Sequence, residues 1–137
     1  MTRAPIPRFE RYRELVDDWS AFVDACRAPL PAALWTNTLR TDAETLRIDL
    51  ERDGVELAPV PWLTNAFRVR SGRPGKTLAF VTGRCHLQEE VSMLPIPLLD
   101  PRPGERVLDL CAAPGNKTLQ AAVRMEDRGT LVAVDIS

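Results

Sequence analysis

Residues 107–118 read Val-Leu-Asp-Leu-Cys-Ala-Ala-Pro-Gly-Asn-Lys-Thr, an apolar run that breaks into a proline, a glycine and a lysine. Two chemistries use a loop of this kind, phosphate binding and the cradling of an adenosyl cofactor, and residue types at fixed offsets separate them. A phosphate loop needs G-x-x-x-x-G-K-[ST], because its glycines let backbone N–H groups close around phosphate oxygens. Counting back from Lys117-Thr118, the two glycine positions hold Asn116 and Cys111. The G-x-G-x-x-G dinucleotide fingerprint fails as well, since the turn carries a single glycine, Gly115.

The flanking pattern defines the architecture. Arg106–Leu110 reads as a buried strand with Asp109 near its end, and Lys117–Val123 opens a helix with Leu119, Ala122 and Val123 at helical spacing. Gly129-Thr130 breaks the chain before Leu131–Val134, an apolar run too short for a helix that ends on Asp135. This is a strand–helix–strand unit, expected to cross over in the right-handed sense. Gly115 and Asp135 are 20 residues apart (135 − 115). That is about the interval at which an acid closing the second strand of such folds grips ribose hydroxyls. The alternative is an ordinary polar strand end.

With the loop placed, a resemblance becomes specific. Asp109–Thr118 resembles the D-x-C-A-A-P-G-G-K-T cofactor motif of the NOL/NOP/Sun family of RNA (cytosine-5) methyltransferases. His86–Pro95 is similar to the Q-[DE]-x-x-S-M-L segment that leads into that family's methyltransferase domain, and Trp35–Arg40 resembles its R-x-N-T-L strand. The departure is Asn116, where many members have Gly; Asn tolerates left-handed backbone better than most residues. The resemblance implies S-adenosyl-L-methionine as cofactor, held along Cys111, Ala112, Ala113, Pro114, Gly115, Asn116 and Lys117, mostly by backbone groups, with Asp135 accepting from the ribose hydroxyls. Asp109 is a candidate for orienting the loop or the methionine amino group. Lys117 has an alternative reading as a helix-start lysine facing solvent.

The family's chemistry uses one cysteine thiolate to attack carbon 6 of cytosine and a second cysteine to help release the product, which is covalent catalysis by an activated thiol. The resemblance places those cysteines in P-C and T-C motifs downstream of the cofactor loop, and neither motif occurs in these 137 residues. Cys26, Cys85 and Cys111 are therefore read as structural, and no catalytic residue is assigned. The expected fold class is α/β: an N-terminal helix and a small ferredoxin-like module, then the first strand–helix–strand of a truncated Rossmann-like methyltransferase domain. Residues 1–90 are expected to be an RNA-binding or accessory module and 91–137 the start of the methyltransferase domain. Two rival functions stay open, a noncatalytic RNA-binding or assembly protein with a remnant cofactor fold, and a methyltransferase for another substrate.

Composition narrows the classes without choosing among them. Eighteen basic against nineteen acidic side chains give a net charge of −1, so no nucleic-acid footprint shows in the total. An odd number of cysteines without metal-ligand spacing, and a lone histidine, His86, argue against a metal site or a disulfide framework. The first seven residues lack the apolar core of a signal peptide, and no run reaches the length of a membrane span. The chain reads as a cytoplasmic, monomeric protein; RNA, ribosomal or transfer, is the partner that the resemblance implies.

The distribution of charge says more than its total. No Asp or Glu occurs from Leu57 to Gln88, while Arg68, Arg70, Arg73, Lys76 and Arg84 do, with Trp62, Phe67 and Phe80 among them. Phe67 and Val69 alternate with Arg68 and Arg70 at the period of a half-buried strand, and residues 71–76 supply a turn before an expected second strand, Thr77–Thr82. Such a hairpin would offer several cations to RNA phosphates, or simply be a solvated surface. Upstream, Phe9, Tyr12, Val16, Trp19, Val23 and Cys26 predict one amphipathic helix over Arg8–Arg27 with a core-facing stripe. A strand over Leu34–Leu39 follows. Thr41-x-x-Glu44 then has capping-box spacing ahead of a helix that Gly54 stops.

Overall fold

The computed structural model describes residues 9–136, in two compact units divided at residues 30 and 31. In the first unit the expected single helix is two pieces: a 3-10 turn at Glu10–Leu15 and α1 at Trp19–Arg27. Asp18 separates them, its carboxylate accepting from the Ala21 N–H at 2.9 Å and so starting a new helix. Arg8 lies outside the described residues. The stripe is not core. No residue of either helical piece is buried, and Phe9, Trp19 and Phe22 pack on one another, edge-on and stacked.

The second unit begins with β1 (Ala33–Thr36), α2 (Ala43–Arg52), β2 (Glu56–Val60), β3 (Leu63–Ser71), α3 (Leu78–Val81) and β4 (Cys85–Leu87). The strands pair antiparallel in the order β2-β3-β1-β4, which is the ferredoxin-like split βαβ arrangement. All four residues of β1 are buried, because both faces of the sheet are covered. On one face Leu34, Phe67 and Cys85 meet Leu46 and Leu50 of α2, with Val55 and Ala79; on the other Ala33, Trp35, Val60 and Ala66 meet Met93 and Val123. Burying a leucine of this kind contributes roughly 1.5–3 kcal/mol.

Three expectations shift here. Residues 77–82 are not a strand: Thr77 caps a helical turn, its hydroxyl accepting from the Phe80 N–H, so Ala79 is buried while Leu78 and Val81 face out. The fourth strand is Cys85–Leu87 instead, and the true hairpin partner of β3 is β2. The strand expected over 34–39 ends at Thr36, where Asn37 turns the chain by accepting from the Leu39 N–H and donating to the Gly83 carbonyl. The capping box fails by one residue, since the α2 cap is Asp42, which accepts from the backbone and hydroxyl of Thr45.

Beyond β4 come α4 (Pro95–Leu99), β5 (Arg106–Asp109), α5 (Asn116–Arg124) and β6 (Thr130–Ala133). β5 and β6 pair parallel, from Arg106 with Thr130 to Asp109 with Ala133. The strand expected to be buried is not, with Leu108 at 58% exposure. A single crossover helix screens part of a two-stranded sheet, and the remaining surface is open. Gly129 sets the entry to β6. Its φ is +129°, and a Cβ there would lie 2.5 Å from the Glu105 carbonyl oxygen and 2.6 Å from the Met125 methyl. The same carbonyl accepts from Thr130 N–H at 2.9 Å, so backing away would break the first rung of the parallel pair. Gly129→Ala is expected to cost about 2–3 kcal/mol of stability. An unchanged urea midpoint would show that the strand entry yields more easily than this geometry allows.

Candidate functional site

The loop after β5 is braced by two carboxylates. Asp109, the last residue of β5, accepts from the Cys111 N–H at 3.1 Å through one oxygen and from the Thr118 hydroxyl at 2.6 Å through the other, tying the start of the loop to the first turn of α5. Asp135, just past β6, accepts from the Ala113 N–H at 2.8 Å. Between them Val134 N–H donates to the Asp109 carbonyl and Ala112 N–H to the Val134 carbonyl, extending the strand pairing into the loop. Both acids that the sequence singled out therefore hold the loop's backbone.

The loop itself faces solvent. Cys111, Ala113, Pro114 and Asp135 are exposed, and Ala112, Gly115, Asn116 and Lys117 are half-buried. The Ala113–Pro114 peptide is cis. Gly115 has φ +103° and precedes α5, with its carbonyl accepting from the Leu119 N–H at 2.8 Å. The left-handed residue is thus Gly115, and Asn116 is already helical. This corrects the reason for expecting Asn116 to be tolerated: its position asks for a helix-starting residue, not for positive φ. Thr118, which bonds Asp109, was not among the expected site residues, although its place beside Lys117 was the available signal.

The five expected RNA-contacting cations divide. Arg68 donates through Nε and Nη2, one edge of its guanidinium, to the two oxygens of Glu90 at 2.5 and 2.6 Å, and this bond holds the Glu90 carboxyl below its ordinary range. Arg84 pairs with Asp49 of α2 at 2.6 Å. Arg70, Arg73 and Lys76 are exposed and, among the described residues, make no ion pair. Arg73 and Lys76 line a shallow recess with Asp53, Thr77 and Leu78. The absence of acids from 57–88 was therefore no measure of the surface, since strand pairing and helix packing bring acids from outside that window.

The cysteines remain apart. Cys85 is fully buried, which pushes its thiol up to about 11; Cys26 and Cys111 are exposed. Among the described residues no group of three or more His, Cys, Asp or Glu is placed to hold a metal ion, and no helix is long and apolar enough to cross a membrane.

A family model described as the N-terminal domain of 16S rRNA methyltransferase RsmF matches residues 5–90, and one described as 16S rRNA methyltransferase RsmB/F matches residues 96–137. A ferredoxin-like module running into a carboxylate-braced loop at a parallel strand end defines the N-terminal part of a NOL/NOP/Sun-class methyltransferase. Within that class the chain belongs to the RsmF family. It is 37% identical over 123 residues to the ribosomal RNA small subunit methyltransferase F of Pectobacterium carotovorum, covering 85% of this chain and 25% of that protein. It is also 37% identical over 129 residues to the tRNA (cytosine(49)-C(5))-methyltransferase of Pyrococcus abyssi, covering 92% of this chain and 41% of that one. The crystal structure of a methyltransferase homolog from Pyrococcus horikoshii superimposes with a TM-score of 0.78 at 30% identity, over 98% of this chain and 49% of that one. The chain thus spans a quarter to two fifths of the curated relatives' length.

Proposed function

We propose that the whole protein is a cytoplasmic, monomeric S-adenosyl-L-methionine-dependent RNA (cytosine-5) methyltransferase acting on ribosomal or transfer RNA. Residues 1–90 serve as its RNA-binding module and residues 91–137 as the first half of its cofactor site. The observation that carries this reading is the partly exposed loop 111–117, tied at both ends by Asp109 and held in its middle by Asp135. The residues fit the group. Among the described residues the N–H groups of Asn116 and Lys117 and the carbonyls of Cys111, Ala113 and Pro114 have no backbone partner and are open to the methionine and ribose side, and a carboxylate at the second strand end suits paired hydroxyls. When bound, the cofactor supplies the methyl group. Asp109 positions the loop through Cys111 and Thr118, and Asp135 accepts from the ribose while steadying Ala113. Purified full-length protein, incubated with labelled donor and total RNA, is expected to yield 5-methylcytosine; label on another base or on protein alone would overturn the assignment.

The RNA-binding part rests on Arg70, Arg73 and Lys76, three cations without an acidic partner among the described residues. Replacing all three with Ala in the full-length protein is expected to lower the slope of log affinity against log salt by about 2, at roughly 0.7 per phosphate contact on single strands. The same change at Arg68 and Arg84 is expected to leave the slope nearly unaltered, because Glu90 and Asp49 already neutralise them. An unaltered slope in the triple variant would return these residues to a solvated surface.

A further inference from the structure

Of the three aromatic side chains in the acid-free stretch, two are spent on packing. Phe67 is 6% exposed and Phe80 packs against the same core. Trp62 is different. It occupies the tight turn between β2 and β3, next to Pro61, and is 42% exposed. A turn at the tip of a hairpin favours small or polar residues, so turn geometry gives no reason for an indole there.

The indole is nonetheless held. Its N–H donates to Glu90 Oε1 at 3.3 Å, and Glu90 is itself fixed by the two-pronged bond from Arg68. One carboxylate therefore ties the turn, β3 and the segment after β4 together, gripping the ring by its polar edge. A side chain immobilised before binding loses little entropy when a ligand arrives. Arg68 and Arg70 are two residues apart on β3 and so project from one face of the strand, the face on which Ala66 is buried. Arg68 is committed to Glu90, and Arg70, exposed and without an acidic partner among the described residues, is available to a phosphate.

We propose that Trp62 is a stacking platform for an unpaired RNA base, oriented by Glu90 and Arg68, with Arg70, near the other end of β3, receiving the RNA backbone some nucleotides away. This rests on the RNA-binding reading above and adds a base contact that a row of cations would not provide. A tethered, exposed indole at the start of a strand that also carries an exposed cation is the combination that single-stranded nucleic acid exploits, since every base presents a π-face. A duplex keeps its bases stacked inside and offers nothing to the ring.

The test uses full-length protein, a labelled single-stranded RNA and a duplex of the same sequence. Trp62→Ala is expected to weaken single-strand binding by about five- to a hundredfold, the range for one lost base–aromatic stack. Its salt slope and duplex affinity are expected to stay as in wild type. Trp62→Phe, which keeps a flat ring, is expected to recover most of the loss, and matching melting temperatures establish that both variants fold. Wild-type single-strand affinity in Trp62→Ala would overturn the platform, as would an equal loss on duplex or a flattened salt slope. So would failure of acrylamide to quench Trp62 in the RNA-free full-length protein, read as the difference between wild type and Trp62→Phe, because the ring would then be covered by protein. Wild-type protein that binds neither RNA would overturn the RNA-binding reading itself, an outcome distinct from all of these.

Discussion

The 137-residue chain, incubated with labelled S-adenosylmethionine and total RNA, is expected to transfer no methyl group above the protein-free background, while full-length protein forms 5-methylcytosine. The proposed chemistry needs a thiolate that reaches carbon 6 of a cytosine, and none of the three cysteines here meets that need. Cys85 lies in the core of the ferredoxin-like sheet, and with its thiol pushed up to about 11 it is protonated at neutral pH. Cys26 belongs to α1, in the other compact unit. Cys111 is exposed, but it sits in the proposed cofactor loop itself, its N–H held by Asp109. A thiol there would flank the methyl donor of the proposed site, not face it across a substrate. Methylated cytosine produced by the chain alone would defeat this account, and its loss in Cys111→Ala would identify the nucleophile that had been overlooked.

What the sequence disclosed and what it concealed follow from the range of the interactions involved. The loop after β5 was legible as a strand-to-helix turn because its determinants are local: a strand end, a single glycine forced to positive φ, and a lysine–threonine pair opening a helix, all within ten residues. The place of Asp135 beyond the second strand was legible through one spacing. The identity of α3 was not, since Leu-Ala-Phe-Val suits a strand as well as a helical turn, and the deciding contact is the cap supplied by Thr77. The α2 cap turned on a competition between adjacent residues, Thr41 and Asp42, either of which can cap; the aspartate takes both the N–H and the hydroxyl of Thr45. The charge map failed for a longer-range reason. Arg84 is 35 positions from Asp49 and Arg68 is 22 from Glu90, distances over which no pattern in the chain announces a pairing. Trp62 shows the same limit, because its exposure and its tether to Glu90 are properties of the folded sheet.

In the full-length enzyme, Asp135→Ala is expected to weaken donor binding about ten- to a hundredfold, because hydrogen bonds to a charged group contribute roughly 1.5–3 kcal/mol. The carboxylate is exposed at the end of β6, so folding should be little affected and the melting temperature should stay close to wild type. Its bond to the Ala113 N–H complicates the attribution, since removing the side chain frees the middle of the loop as well as the ribose contact. Asp135→Asn separates the two effects. An asparagine carbonyl can still accept from Ala113 N–H and steady the loop, yet the charge that strengthens the bonds from the hydroxyls is gone. The expected order of donor affinity, read by calorimetry, is therefore wild type, then Asn, then Ala, with Asn about fivefold below wild type as a charged acceptor becomes a neutral one. If Asn matches wild type while Ala loses affinity, Asp135 acts only by bracing Ala113 and the ribose role falls; if Ala also matches wild type, the carboxylate contributes neither.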